Sequence, residues 1–313
     1  MKIMDVTFRE SVLCSEIIKK EQLFEFVEIL TKLGVDYIDL CYLKSKEEEK
    51  LCDRYDEELI GQVYKITKGK SKLSAMMYPG DFVPSKWNKE CLKKIDLIRI
   101  TTARDYRDYE KLKEIIEYFH GIGVEVSINL LRISEHSDNE YLGAVKQMAN
   151  LGADYIYLAD SNGHLSHDKL KSFIDVLKKN YDGKIGLHGH DNTGQAMLNS
   201  ITALESGASI IDASLLGYGK GSGNLSLEMF VALLARKHKN EYKVEDVIEC
   251  YKAAYEFNQE VLDSKKERER LFYSLLGTFD INYTDTKKLL RTEARDKDLF
   301  YEVCKYLENK ELH

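Results

Sequence analysis

Short runs rich in β-branched residues alternate eight times with longer amphipathic stretches in the first 240 residues, and few folds accommodate that alternation. The runs fall at 3–8, 37–40, 73–77, 97–101, 124–130, 155–159, 185–188 and 209–213. Each precedes a segment of helical periodicity, as in 22–33, where Leu23, Phe26, Val27 and Leu30 share one face. Strands that alternate with helices pair in parallel. Eight βα units are what a (β/α)8 barrel requires, and about 250 residues is its usual size. The sequence therefore predicts an α/β chain with a TIM barrel over 1–240. A doubly wound sheet is the rival, but the phosphate-binding glycine fingerprint is absent after the first run.

Four helix-to-strand junctions carry a glycine at the same place, Gly34, Gly123, Gly152 and Gly207. A left-handed residue closing a helix before the chain enters a buried strand accounts for them. The only prolines are Pro79 and Pro84, so no Pro-rich linker marks a boundary. Beyond 240 the β-type runs stop. Val244, Val247, Ile248, Tyr251 and Tyr255 continue at helical spacing, so 241–313 reads as a C-terminal helical extension packed on the barrel.

Composition narrows the function classes. Hydrophobic residues at 43% and charged residues at 32% are globular values. Forty-six Lys and Arg against 53 Asp and Glu give a formal charge of −7 with the signs interspersed, which disfavours a nucleic-acid footprint. No apolar run approaches the ~20 residues of a membrane span, and the chain start is charged too early for a signal peptide. A cytoplasmic protein with no membrane partner is expected. The six cysteines form no CxxC pair, which points to buried thiols rather than disulfides or a cysteine zinc site.

In such a barrel the groups that do chemistry lie at the C-terminal ends of the strands. Three places stand out. Arg9 and Glu10 follow the first run as a charged pair; a surface salt bridge is the plain alternative. His188 and His190, two residues apart at the end of the seventh run, project to one face, where a nearby carboxylate would complete an oxygen and nitrogen metal site. The loop Gly217-Tyr218-Gly219-Lys220-Gly221-Ser222-Gly223-Asn224 brings backbone N–H groups close to a ligand at a helix start, or is merely flexible.

Together these features resemble the metal-dependent lyase and synthase superfamily of HMG-CoA lyase-like TIM barrels. The resemblance is carried by His188-Gly189-His190-Asp191-Asn192, by Ile211-Asp212-Ala213-Ser214, by the glycine loop with Leu225-Ser226-Leu227-Glu228, and by Asp5-Val6-Thr7-Phe8-Arg9-Glu10, which matches the family's D-x-T-L-R-[DE]. Gly152 to Ser161, containing Asp160, is similar to the family's sixth strand. Ile98-Arg99-Ile100-Thr101-Thr102 and Tyr273-Ser274-Leu275-Leu276 resemble the 4-hydroxy-2-oxovalerate aldolase branch.

The resemblance implies a divalent-metal-dependent aldolase, a carbon–carbon lyase acting on a 4-hydroxy-2-oxo acid through a pyruvate-type enolate. By it Glu10, His188 and His190 are the metal ligands, for Mn²⁺ or Mg²⁺ foremost and Co²⁺ or Zn²⁺ as alternatives. Arg9 stabilises the enolate oxygen, and Tyr273 reaches the site from the extension. Asn224, Tyr42 and Asp160 serve the substrate or support the ligands. A 2-oxo acid and an aldehyde are the small-molecule partners, an acylating aldehyde dehydrogenase is a protein partner of such aldolases, and a homo-oligomer is expected.

The chain also departs from the aldolase pattern. Glu10 stands where that branch has Asp, and Leu13 and Ala103 stand where it has histidines. Another acid or base is then needed, with Tyr42, Tyr273 or a bound water as candidates. Two other readings follow: Claisen chemistry on an acyl-CoA, as in homocitrate or isopropylmalate synthases and HMG-CoA lyase, and a barrel that serves as a non-catalytic subunit.

Overall fold

Residues that alternate in sequence are paired all the way round a cylinder. The computed structural model describes residues 1–44, 50–237, 243–279, 281 and 296–308, with backbone alone for 296–299. Eight parallel strands close in chain order: β1 Lys2–Asp5, β2 Tyr37–Tyr42, β3 Lys72–Met77, β4 Leu97–Thr102, β5 Glu125–Leu130, β6 Tyr155–Asp160, β7 Lys184–Gly189 and β8 Ile210–Ala213. The closing seam sets Lys2 to Asp5 of β1 against Ile210 to Ala213 of β8. This is the expected (β/α)8 barrel.

The chain divides into two compact units, Met1–Ser214 with Tyr218–Leu225, and Leu215–Gly217 with Ser226–His313. In the first, helices cross over between successive strands; Lys20–Leu33, for example, buries Leu23, Phe26, Val27 and Leu30 and ends at Gly34 with φ +75°. In the second, Leu227–Lys237, Val244–Phe257, Lys265–Thr278 and Asp296–Leu307 are helices. Tyr251 bonds Ser274 and Thr278 through its hydroxyl, and Tyr255 stacks on Phe300 at 4.2 Å. Of the extension expected over 241–313, residues 241–242, 280, 282–295 and 309–313 lie outside the described residues.

The barrel interior is layered. Met4, Val6, Tyr37, Leu97, Tyr155, Tyr157 and Ile210 form one apolar cluster. Two residues further along their strands, on the same face, come Asp39 after Tyr37, Arg99 after Leu97 and Asp212 after Ile210. A charged layer thus lies on the apolar one toward the C-terminal ends of the strands.

The first run is shorter than its alternation predicts. β1 stops at Asp5, and Thr7–Ser11 is a short helix with every residue buried. The cause is local: the Asp5 carboxylate accepts hydrogen bonds from the Thr7 backbone N–H at 3.0 Å and from its hydroxyl at 2.8 Å, which turns the chain out of the sheet. Arg9 and Glu10 are therefore carried by a helical turn, and both side chains stay buried.

Candidate metal and substrate site

The helical turn delivers Glu10 to the end of β7. Glu10 Oε1 lies 3.7 Å from His188 Nε2, and one ligand atom each from Glu10, His188 and His190 fall within 4.8 Å of one another, all three residues buried. His188 is the penultimate residue of β7 and His190 follows the strand, bridged in antiparallel fashion to Asn224.

Each arm is held from behind. His188 Nδ1 is 3.0 Å from Asp212 Oδ2 on β8, which leaves Nε2 facing Glu10. A carboxylate behind an imidazole fixes which nitrogen is presented. Arg9 donates through Nε to Asp39 Oδ2 at 3.0 Å and through Nη1 to Glu10, while its buried Nη2 has no partner among the described residues. Arg99 donates to Asp39 at 2.6 Å and to Asp212 at 2.5 Å, its guanidinium 4.4 Å over the Tyr157 ring.

The electrostatics follow from burial and these pairs. Burial alone would raise the Glu10 carboxyl, but Arg9 beside it, with both histidines, holds it down at about 2. Burial, and then His188, lowers His190 to about 4. Burial opposes the charge of Asp212 as well, yet Arg99 and His188 keep it below the usual carboxylate range. An ionised carboxylate and a neutral imidazole are the states that bind a cation.

The glycine loop lies against the same residues. Lys220 N–H approaches Glu10 Oε2 at 3.4 Å, and a side chain at Gly219 would meet Asn224 Nδ2 at 2.2 Å and Glu10 Oε2 at 3.0 Å. Asn224 donates through Nδ2 to the Tyr218 carbonyl at 3.1 Å, leaving its buried Oδ1 without a partner among the described residues. Tyr42, at the end of β2, is buried, with Arg9, Glu10 and Asp39 among its charged neighbours and Lys44 Nζ 5.1 Å over its ring; burial raises its hydroxyl well above the ordinary value. Asp160, at the end of β6, accepts from Leu165 N–H at 2.8 Å, and its carbonyl accepts from His190 N–H. Tyr273 is on the helix Lys265–Thr278 of the second unit and is 54% exposed. Leu13 is also exposed, and Ala103 follows β4.

Sequence reasoning gave no role to Asp39, Arg99 or Asp212. The signal was present: a charge inside an otherwise apolar barrel strand is buried on either face and requires a partner.

The family model described as HMGL-like matches residues 100–253. A 4-hydroxy-2-oxovalerate aldolase from Geobacillus genomosp. 3 is 30% identical over 248 residues, 75% of this chain and 71% of that protein. The chain belongs to the HMGL-like family. This makes it an enzyme of the lyase type, one that uses small-molecule substrates. A second 4-hydroxy-2-oxovalerate aldolase, from Pseudoalteromonas translucida, is 33% identical over 201 residues, 62% of this chain but 57% of that relative's length. The HMGL-like barrel has solved counterparts in HMG-CoA lyase from Brucella melitensis, with TM-score 0.68 and 16% identity over 83% of this chain and 99% of that one. The N-terminal domain of a Bacteroides vulgatus protein shares the fold at TM-score 0.71 and 20% identity, over 97% of this chain and 96% of that one.

A divalent metal is expected in this family, and the donor set accepts one: a carboxylate and two imidazoles converge, the buried Asn224 Oδ1 has no partner among the described residues, and behind the ligands Asp39 and Asp212 face the guanidinium groups of Arg9 and Arg99. No helix among the described residues is long and apolar enough to cross a membrane.

Proposed function

We propose that this chain is a divalent-metal-dependent aldolase that breaks and forms the C3–C4 bond of a 4-hydroxy-2-oxo acid, with Glu10, His188 and His190 holding Mn²⁺ or Mg²⁺. The observation that carries the reading is the convergence of those three ligand atoms beside an arginine with one buried, unpartnered nitrogen. The names of the relatives that match this chain support the substrate class.

The metal, when bound, supplies Lewis acidity toward the 2-oxo acid carbonyl. Arg9 does the rest of the charge stabilisation: its free Nη2 donates to the oxygen on which negative charge gathers as the bond breaks. The pair with Asp39 holds the guanidinium plane so that this donor is set before substrate arrives. Tyr42 keeps its phenol proton at neutral pH, so we assign it as a hydrogen-bond donor to the substrate's 4-oxygen, with the proton that this oxygen loses on cleavage passing to water. Asn224 and Asp160 support the loop and the His190 backbone around the substrate. Tyr273 as a second proton carrier, a homo-oligomer and an acylating aldehyde dehydrogenase partner rest on the family resemblance alone, and a cytoplasmic site of action rests on the lack of an apolar run long enough to span a membrane.

The test is solvent exchange. Mn²⁺-loaded protein in D₂O is expected to deuterate the methyl group of pyruvate, followed by proton NMR, with no aldehyde present. Exchange is expected to vanish on chelation and in His188→Ala. Absence of exchange on every short 2-oxo acid, together with turnover of an acyl-CoA, would replace this reading by the Claisen one.

A further inference from the structure

We propose that Arg99 is a positioning residue that sets both working arms of the site through two carboxylates. One oxygen of Asp39 accepts from Arg99 Nη1 at 2.6 Å and from Arg9 Nε at 3.0 Å. One oxygen of Asp212 accepts from Arg99 Nη2 at 2.5 Å and faces His188 Nδ1 at 3.0 Å. The two terminal nitrogens of a guanidinium are fixed in one plane, so the two carboxylates they hold have a fixed relation. Arg9, which presents the free donor, and His188, which presents Nε2 toward Glu10, take their orientation from that single fork.

Three observations separate this from a charge that merely balances the core. Arg99 is completely buried, on β4, in a layer whose other charged members each reach forward to a site residue. Its guanidinium rests on the Tyr157 ring and touches Met4 Sδ, so it has no freedom to re-pair. And a buried ionic cluster is a poor source of stability, since an apolar core of equal volume usually serves as well. The layer is accounted for by what it orients.

This inference rests on the proposed metal and arginine roles, and the test keeps the two apart. The full chain is titrated with Mn²⁺ by EPR, and aldol cleavage is measured at steady state. Arg99→Lys keeps the charge and loses the fork. With near-UV circular dichroism unchanged, its Mn²⁺ affinity is expected to fall about tenfold, and kcat is expected to fall more than KM rises. Asp39→Asn and Asp212→Asn remove carboxylates that meet through Arg99, so the losses in the double variant are expected to be clearly smaller than the two single losses combined. A folded Arg99→Lys protein with wild-type Mn²⁺ affinity and kcat overturns the inference and leaves the metal reading standing. Should Arg99→Lys not fold, the pair of carboxylate variants decides: combined losses that simply multiply overturn it. A wild-type chain that binds no Mn²⁺ overturns the metal reading and this inference with it.

Discussion

His188 Nδ1 and Asp212 Oδ2 sit 3.0 Å apart on neighbouring strands, with Arg99 on the far side of the same carboxylate oxygen. The pairing spends the inner nitrogen of the imidazole on the barrel and leaves the outer one for the site. His188→Ala is therefore expected to lose Mn²⁺ binding while the fold survives, because the side chain lies at the end of β7 rather than in the apolar cluster. EPR titration beside circular dichroism checks this; undiminished Mn²⁺ binding would remove His188 from the ligand set.

Arg9 carries a different burden. Arg9→Lys retains a positive charge next to Glu10 but cannot bond Asp39 and still offer a second donor in a fixed plane. We expect kcat for aldol cleavage to fall by about 10²- to 10³-fold, the usual loss for one preorganised donor, with KM for the oxo acid changed far less. Steady-state kinetics on the folded variant checks it, and a fully active lysine variant would exclude Arg9 from charge stabilisation.

Gly219 has no room for a methyl group. A Cβ there would stand 2.2 Å from Asn224 Nδ2 and 3.0 Å from Glu10 Oε2. Gly219→Ala is expected to cost about 1–3 kcal/mol in urea unfolding, the range for overpacking, and to reduce turnover at least tenfold. Gly189, at the end of β7, around whose Cβ position nothing lies within 4 Å, is the control: Gly189→Ala is expected to change turnover much less.

Asp5 supplies a pH dependence. Burial raises its carboxyl to about 7, against the opposing hydrogen bonds from Thr7. With the unfolded value near 3.8, the folded protein binds more protons between those limits, so this group's contribution is full below about pH 4 and is lost as pH rises through 7. Asp5→Asn should therefore flatten the dependence of the unfolding midpoint on pH between 4 and 7. An unchanged slope would assign the dependence to other groups.

The fold was legible because periodicity repeats: eight runs and four junction glycines agree, and Gly34, Gly123, Gly152 and Gly207 all adopt positive φ. The end of β1 was not legible, since Val6 and Phe8 continue an alternation that the Asp5–Thr7 hydrogen bonds break. The histidine pair was legible from its spacing, and its carboxylate partner from a family motif. Asp39, Arg99 and Asp212 were not, because each lies inside a run scored for its apolar neighbours, and only closure of the barrel brings β2, β4 and β8 within reach of one another.

The bridge between His190 and Asn224 has a consequence for engineering. Asp191 N–H also bonds the Gly223 carbonyl, so the tail of β7 and the far end of the glycine loop are stitched together. Loop grafting, the usual way to retune a barrel enzyme, has no free handle there. A transplanted loop of another length would pull on an imidazole of the proposed metal site, so new specificity is better sought away from this loop, around the stacked rings of Tyr42 and Tyr78.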